Sequence, residues 1–218
     1  LHRRRRTALA VTAVSLVAAP LLTACGGEAH PGAAAVVGGE RIEVSAVQAQ
    51  TADVRSAQRD SEHSEELVKK SGQLTRAKLH SLIFGQVLDR AAKDAGVSVS
   101  RKEVQQVRTA ATAQSGGDEG LRTVMLEQRW VAPGQIEEDL RKEVQLPKLA
   151  QALGADLQSP EGQQVVGDAL TKASKALHID VNPRYGTWDD AKVQLSTYQA
   201  PWISQVTAVR PEEAEAGA

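Results

Sequence analysis

The sequence predicts a mainly α-helical fold closed by a small β pairing of its N- and C-terminal segments. Three observations carry that expectation. Apolar residues recur at three- and four-residue intervals through most of the chain, the period of amphipathic helices. Capping residues stand where those patterns begin, most clearly at Ser100 and Ser159. Near the two ends lie short valine-rich runs too brief for helices, Ala35-Val36-Val37 and Ile179-Asp180-Val181.

The stretch from Leu79 to Val107 organises the rest. Leu79, Leu82, Ile83, Gln86, Val87 and Ala91 fall on one helical face. Gly96 stops that helix, because glycine accepts the left-handed geometry that follows a helix C-terminus. Val97 and Val99 alternate through an extended link. Ser100 then caps a second helix, and Glu103, three residues on, completes a capping box. Val104 and Val107 continue the apolar face.

The other elements follow in order. Gly26 to Ala35 is rich in Gly, Ala and Pro, and residues 25–35 read as a flexible tether. Ala35 to Val37, a Gly38-Gly39 turn and Glu40 to Ile42 read as two strands and a return. Val44, Val47, Thr51 and Val54 mark a first helix. Arg59 to Gly72 is mostly charged, with Leu67, Val68 and Leu74 as anchors. Gly116 to Gly120 breaks the chain, and Leu121, Val124 and Met125 start another helix that ends near Trp130. Glu137, Glu138 and Asp139 crowd the first turn of the next, where the helix dipole favours them. Ile136, Leu140, Val144, Leu149 and Leu153 carry its buried side, and Pro147 should kink it. Ser159-Pro160 starts a last helix with Val166, Leu170, Ala173 and Leu177 as its stripe. Ile179 to Val181 is expected to pair with Val36-Val37. The domain is expected over 36–195, with a polar tail over 196–218.

Four stretches resemble the N-terminal chaperone domain of the SurA and PrsA family of extracytoplasmic folding factors. They are Leu88 to Val104 (LDRAAKDAGVSVSRKEV), Val37-Gly38-Gly39-Glu40-Arg41-Ile42, Gly134 to Gln151 (GQIEEDLRKEVQLPKLAQ) and Val181-Asn182-Pro183-Arg184-Tyr185-Gly186-Thr187-Trp188. Gly38 stands where the family usually has asparagine, and both tolerate positive φ. The resemblance covers roughly Val36 to Trp188. It implies a helical SurA-N-like chaperone fold that binds unfolded or exported polypeptides without ATP. Longer members insert a parvulin-type prolyl isomerase between the Leu-rich helix and the last one. Here only Gly154 to Gln158 separate them, so isomerase activity is not expected.

The first residues read as a processed segment, 1–24. Arg3 to Arg6 form a basic head, and Thr7 to Leu22 is apolar or small. That run is short for a span of about 20 residues. Leu22-Thr23-Ala24-Cys25 then fits a bacterial lipobox, with Cys25 as the thiol that takes the lipid. The expected location is the extracytoplasmic side of the cell membrane, held by that lipid. Loss of Arg3 to Arg6 leaves 22 basic residues against 27 acidic ones, a balance that argues against nucleic acid as partner. Cys25 is the only cysteine, so no disulfide or cysteine-based metal site is expected.

Nothing in the sequence suggests catalysis or a cofactor. None of His2, His30, His63, His80 and His178 falls in a metal-binding spacing, and no phosphate-binding glycine motif follows a strand. Binding remains. Phe84, Met125 and Trp130 are the candidate client contacts, with core packing the competing role for Phe84 and Met125. The expected function is a membrane-anchored holdase with an apolar cradle between the organising hairpin and the Leu-rich helix. The alternative is an envelope adaptor with one dedicated partner.

Overall fold

The computed structural model describes residues 31–69 and 73–196. The lipobox residues Leu22, Thr23, Ala24 and Cys25 and the tail beyond Ser196, including Trp202, lie outside the described residues. The order is β1 (Ala33–Val37), β2 (Glu40–Glu43), α1 (Val44–Arg59), α2 (Ser64–Lys69), α3 (Leu74–Asp94), α4 (Arg101–Gln114) and α5 (Asp118–Arg129). A 3-10 turn, Pro133–Gln135, leads to α6 (Ile136–Ala152), then α7 (Pro160–Ala176), β3 (Asp180–Val181), β4 (Thr187–Asp189) and β5 (Gln194–Ser196). The mainly helical expectation holds, with small antiparallel strand pairs towards the two ends.

Those pairs close the chain on itself. β1 lies between β2 and β3, antiparallel to both. Ala35 faces Val181 and Val36 faces Asp180, which is the expected pairing of the two ends. Asn182 adds two bonds, its backbone N–H to the Ala34 carbonyl at 3.0 Å and its side-chain amide to the Ala33 carbonyl at 3.2 Å. The β1–β2 turn uses Gly38 at φ 60°, and its N–H donates to the Leu177 carbonyl at the end of α7. A side chain there would meet Leu177 Cδ2 at 2.8 Å, so both backbone and packing call for glycine.

The strand begins earlier than composition suggests. Ala33, Ala34 and Ala35, read from sequence as tether, are at most 1% exposed. Their small side chains let β1 sit flush against the helices, and a strand covered on both faces has no alternation to betray it. At the other end Ser196 is the last residue of β5 rather than the first of a tail. The β4–β5 hairpin was not anticipated.

α3 is the axis of the main core, packing against α1, α6, α7, β1 and β5. Leu79, Ile83, Val87 and Leu88 are fully buried there with Leu149 and Val37. Each such side chain contributes about 1.5–3 kcal/mol by leaving water. A second cluster gathers Val104, Leu121, Met125, Val131, Ile136 and Leu140 between α4, α5 and α6. Pro147 lies inside α6, and the helix runs through it to Ala152.

The capping box at α4 forms as expected. The Ser100 hydroxyl accepts from the Glu103 N–H, and the Glu103 carboxylate accepts from the Ser100 N–H at 2.7 Å. The same carboxylate pairs with Lys148 of α6. Lys148, with the Ser100 donors behind it, holds the Glu103 carboxyl down to about 2. One cap therefore also fastens α4 to α6.

Two substitutions test this picture by urea unfolding. Leu79→Ala should lose about 2–5 kcal/mol, because the packed surroundings cannot collapse onto the cavity. Ser100→Ala should lose about 1 kcal/mol, the usual value of an N-cap. A smaller loss for Leu79→Ala than for Ser100→Ala would contradict the assignment of α3 as the core axis.

Candidate functional site

The space expected to be a client cradle, between the α3–α4 hairpin and α6, is closed. On the α4 side the second apolar cluster fills it. On the α3 side polar side chains bridge it. Lys142 Nζ donates to Ser81 Oγ at 3.0 Å and to the Ser81 carbonyl at 3.3 Å. Arg141 and Gln145 both donate to Asp89, at 2.8 and 2.9 Å. Lys78 Nζ donates to Gln135 Oε1 at 2.7 Å, and Gln135 passes a bond on to the Gln50 carbonyl. Burial lowers the Lys78 ammonium to about 8, since desolvation penalises its charged form. About 10 Å³ of open space remains along this seam, too little for a client side chain.

The three candidate client contacts are not brought together. Phe84 is half-buried at the edge of the main core. Met125 is 3% exposed inside the second cluster, so it is a core residue and not a surface contact. Trp130 ends α5 in the left-handed conformation, φ 55°, and packs half-buried near Val54, Leu74, Leu126 and Ala132.

The concavities set charged and polar side chains beside apolar surface. The largest, about 600 Å³, lies between the end of α1, the loop after it and α5. Ala57, Leu126 and Pro133 contribute apolar surface, while Asp60, Glu62, Glu119 and Glu127 carry negative charge. His63 Nδ1 sits 2.7 Å from Glu127 Oε1 and ties the loop to α5. The hydrogen bond and charge of Glu127 raise the His63 pKa. A second concavity, about 500 Å³, lies on another side of α1 and is lined by Arg55, Arg59, Thr75 and Arg184. A third, about 320 Å³, opens between α3 and β5 beside His80.

His80 docks the C-terminal hairpin. Its ring stacks on Phe84 with centroids 6.0 Å apart and meets Trp188 of β4 at 5.7 Å. Trp188 Nε1 donates to Ser174 Oγ at 2.7 Å, which in turn donates to the Asp190 carboxylate. Burial lowers the His80 pKa, because imidazolium is poorly solvated there.

Sequence reasoning missed the His63–Glu127 pair and the arginine cleft. Only Arg55 and Arg59, one turn apart on one helical face, left a signal; their convergence with Arg184 is set by the fold. Among the described residues no group of three or more His, Cys, Asp or Glu could hold a metal ion, and no helix is long and apolar enough to cross a membrane.

Helices around a two-ended strand closure, with charged clefts beside α1, define a mainly helical domain. The family described as SurA-like N-terminal domain matches residues 1–150, and the chain belongs to it, a chaperone-type family whose domains bind polypeptides. The match ends within α6, so α7 and β3 to β5 lie past it. No curated protein and no solved structure matches the chain. Residues 153–159 alone join α6 to α7, leaving no room for an inserted isomerase between them.

The two histidines have opposite effects on stability. His80, with its folded pKa below the ordinary 6.5, stays neutral while the unfolded chain takes a proton, so stability falls as pH drops through 6.5. His63, with its folded pKa raised, gains stability over the same descent. Urea unfolding at pH 7 and pH 5 should therefore show a smaller acid loss for His80→Gln than for the parent, and a larger one for His63→Gln. Equal acid responses for parent and both variants would refute these roles.

Proposed function

We propose that this chain is a membrane-anchored, ATP-independent chaperone that binds exported polypeptides in the cell envelope. Membership of the SurA-like N-terminal domain family is the observation that carries this reading. The lipobox Leu22-Thr23-Ala24-Cys25 supports the anchor, with Cys25 acylated on the extracytoplasmic side. Exposed large apolar residues among the described ones are Val68, Val124 and Val165, which do not amount to a greasy groove. Clients are held in the concavities on either side of α1, where charged side chains stand beside apolar surface.

The charged residues of these concavities also favour a second reading, an envelope adaptor with one dedicated partner. Fixed charges select among partners more than an apolar cup does. The two separate in a pull-down from envelope extract. A spread of unfolded exports fits the chaperone, and one dominant protein fits the adaptor.

The purified full-length chain should suppress aggregation of a chemically unfolded client at near-stoichiometric ratio without nucleotide. Folded protein that gives no suppression removes the chaperone reading. Cys25→Ser should move the protein from the membrane to the soluble fraction, and a variant that stays membrane-bound would show that the thiol is not the anchor.

A further inference from the structure

Arg55 and Arg59 stand one helical turn apart on α1, about 6 Å between their Cβ atoms. Arg184, in the turn after β3, lines the same 500 Å³ cleft. No Asp or Glu lines it, and none of the three guanidinium groups has an ion-pair partner among the described residues. Most of the other described arginines differ: Arg41, Arg90, Arg108, Arg122, Arg129 and Arg141 each sit within 4.0 Å of a carboxylate. Three arginines without a carboxylate partner among the described residues thus share one concavity. Arg184 is also preorganised, its guanidinium 5.3 Å from the centre of the buried Tyr185 ring.

We propose that this cleft binds an acidic segment of polypeptide, with Arg55, Arg59 and Arg184 each taking a carboxylate. The inference rests on the reading of the chain as a polypeptide binder and names the chemistry of what it binds. Guanidinium matches a carboxylate with two parallel N–H donors. Two such groups on one wall and a third from another element suit charges spaced along an extended chain. A single small anion would need donors converging on one point, and the backbone N–H groups of α1 are spent within the helix. Exposed guanidinium groups are worth little singly, so binding needs several together and weakens with salt.

The test uses the full-length protein and a short fluorescent peptide of alternating Glu and Ala, with a Gln-Ala peptide as control. The acidic peptide should bind, the control should not, and added salt should weaken binding. The triple variant Arg55→Gln, Arg59→Gln, Arg184→Gln should bind roughly tenfold more weakly with an unchanged circular dichroism spectrum. Equal binding by parent and variant overturns the proposal, as does arginine-dependent binding of phosphatidylglycerol vesicles or inorganic phosphate without binding of the peptide. Aggregation suppression, measured on the same samples, separates this from the chaperone reading. A parent that suppresses aggregation but ignores the peptide sinks the cleft alone. Arginine-dependent peptide binding without suppression leaves the cleft standing and removes the chaperone.

Discussion

The hydrogen-bonded seat of β1 is the constraint on which the structure depends. The strand has partners on both edges, β2 from its own hairpin and β3 from the far end of the domain. Its alanines press against the helical core, and Gly38 at its tip is bonded to the end of α7. The core cannot be sealed until residues near 33 and 182 meet. Closing so long a loop costs entropy, but that cost rises only slowly with length. Burial of Val37, Leu79, Ile83 and Leu149 around the closed strand offsets it. Both ends being fixed, α3 is held between them, and every concavity described has α1, α3 or α5 as a wall.

The closure explains why the surface is polar. Most large apolar residues of α3 to α7 are taken up by the three buried clusters. Where α3 meets α6 away from these cores, the contact is made by Lys78, Ser81, Asp89, Arg141, Lys142 and Gln145. Such a seam is less stabilising than an apolar one of equal area, since each buried polar group must recover its lost water. Its geometry is more selective, because the helices register only where the bonds can form. The result is a frame with charged side chains on its concave faces.

The parts of the fold governed by local rules were legible in the sequence. Helical periodicity located α1 and α3 to α7, and the Ser100-Glu103 and Ser159-Pro160 signals located two starts, because capping depends on residues within one turn. The meeting of Ile179 to Val181 with Val36 was legible from two isolated valine-rich runs with no other partners. Ala33 to Ala35 misled because alanine composition is the same in a tether and in a strand buried on both faces. The β4–β5 hairpin left no trace, its strands being three residues each and its turn forcing Val193 to φ 49°, a conformation valine rarely adopts. The candidate site was the least legible. Met125 has the chemistry of a client contact and the burial of a core residue, and sequence reports only the chemistry. Arg55 and Arg184 are neighbours through tertiary closure alone.

The arginines of the cleft could also be there for stability, and helix electrostatics limits that role. Arg59 lies in the last turn of α1, where a cation gains about 0.3–1 kcal/mol from the negative end of the helix dipole. Arg55 is one turn further in, where that effect has largely decayed. Arg184 lies outside any helix, and its exposed stacking on Tyr185 adds on the order of 0.5–1 kcal/mol. Neutralising all three should therefore leave a folded protein, because none bears on β1 or the α3 core. Three cations that contribute so little to the fold and have no carboxylate partner of their own are better accounted for by a ligand that supplies the carboxylates.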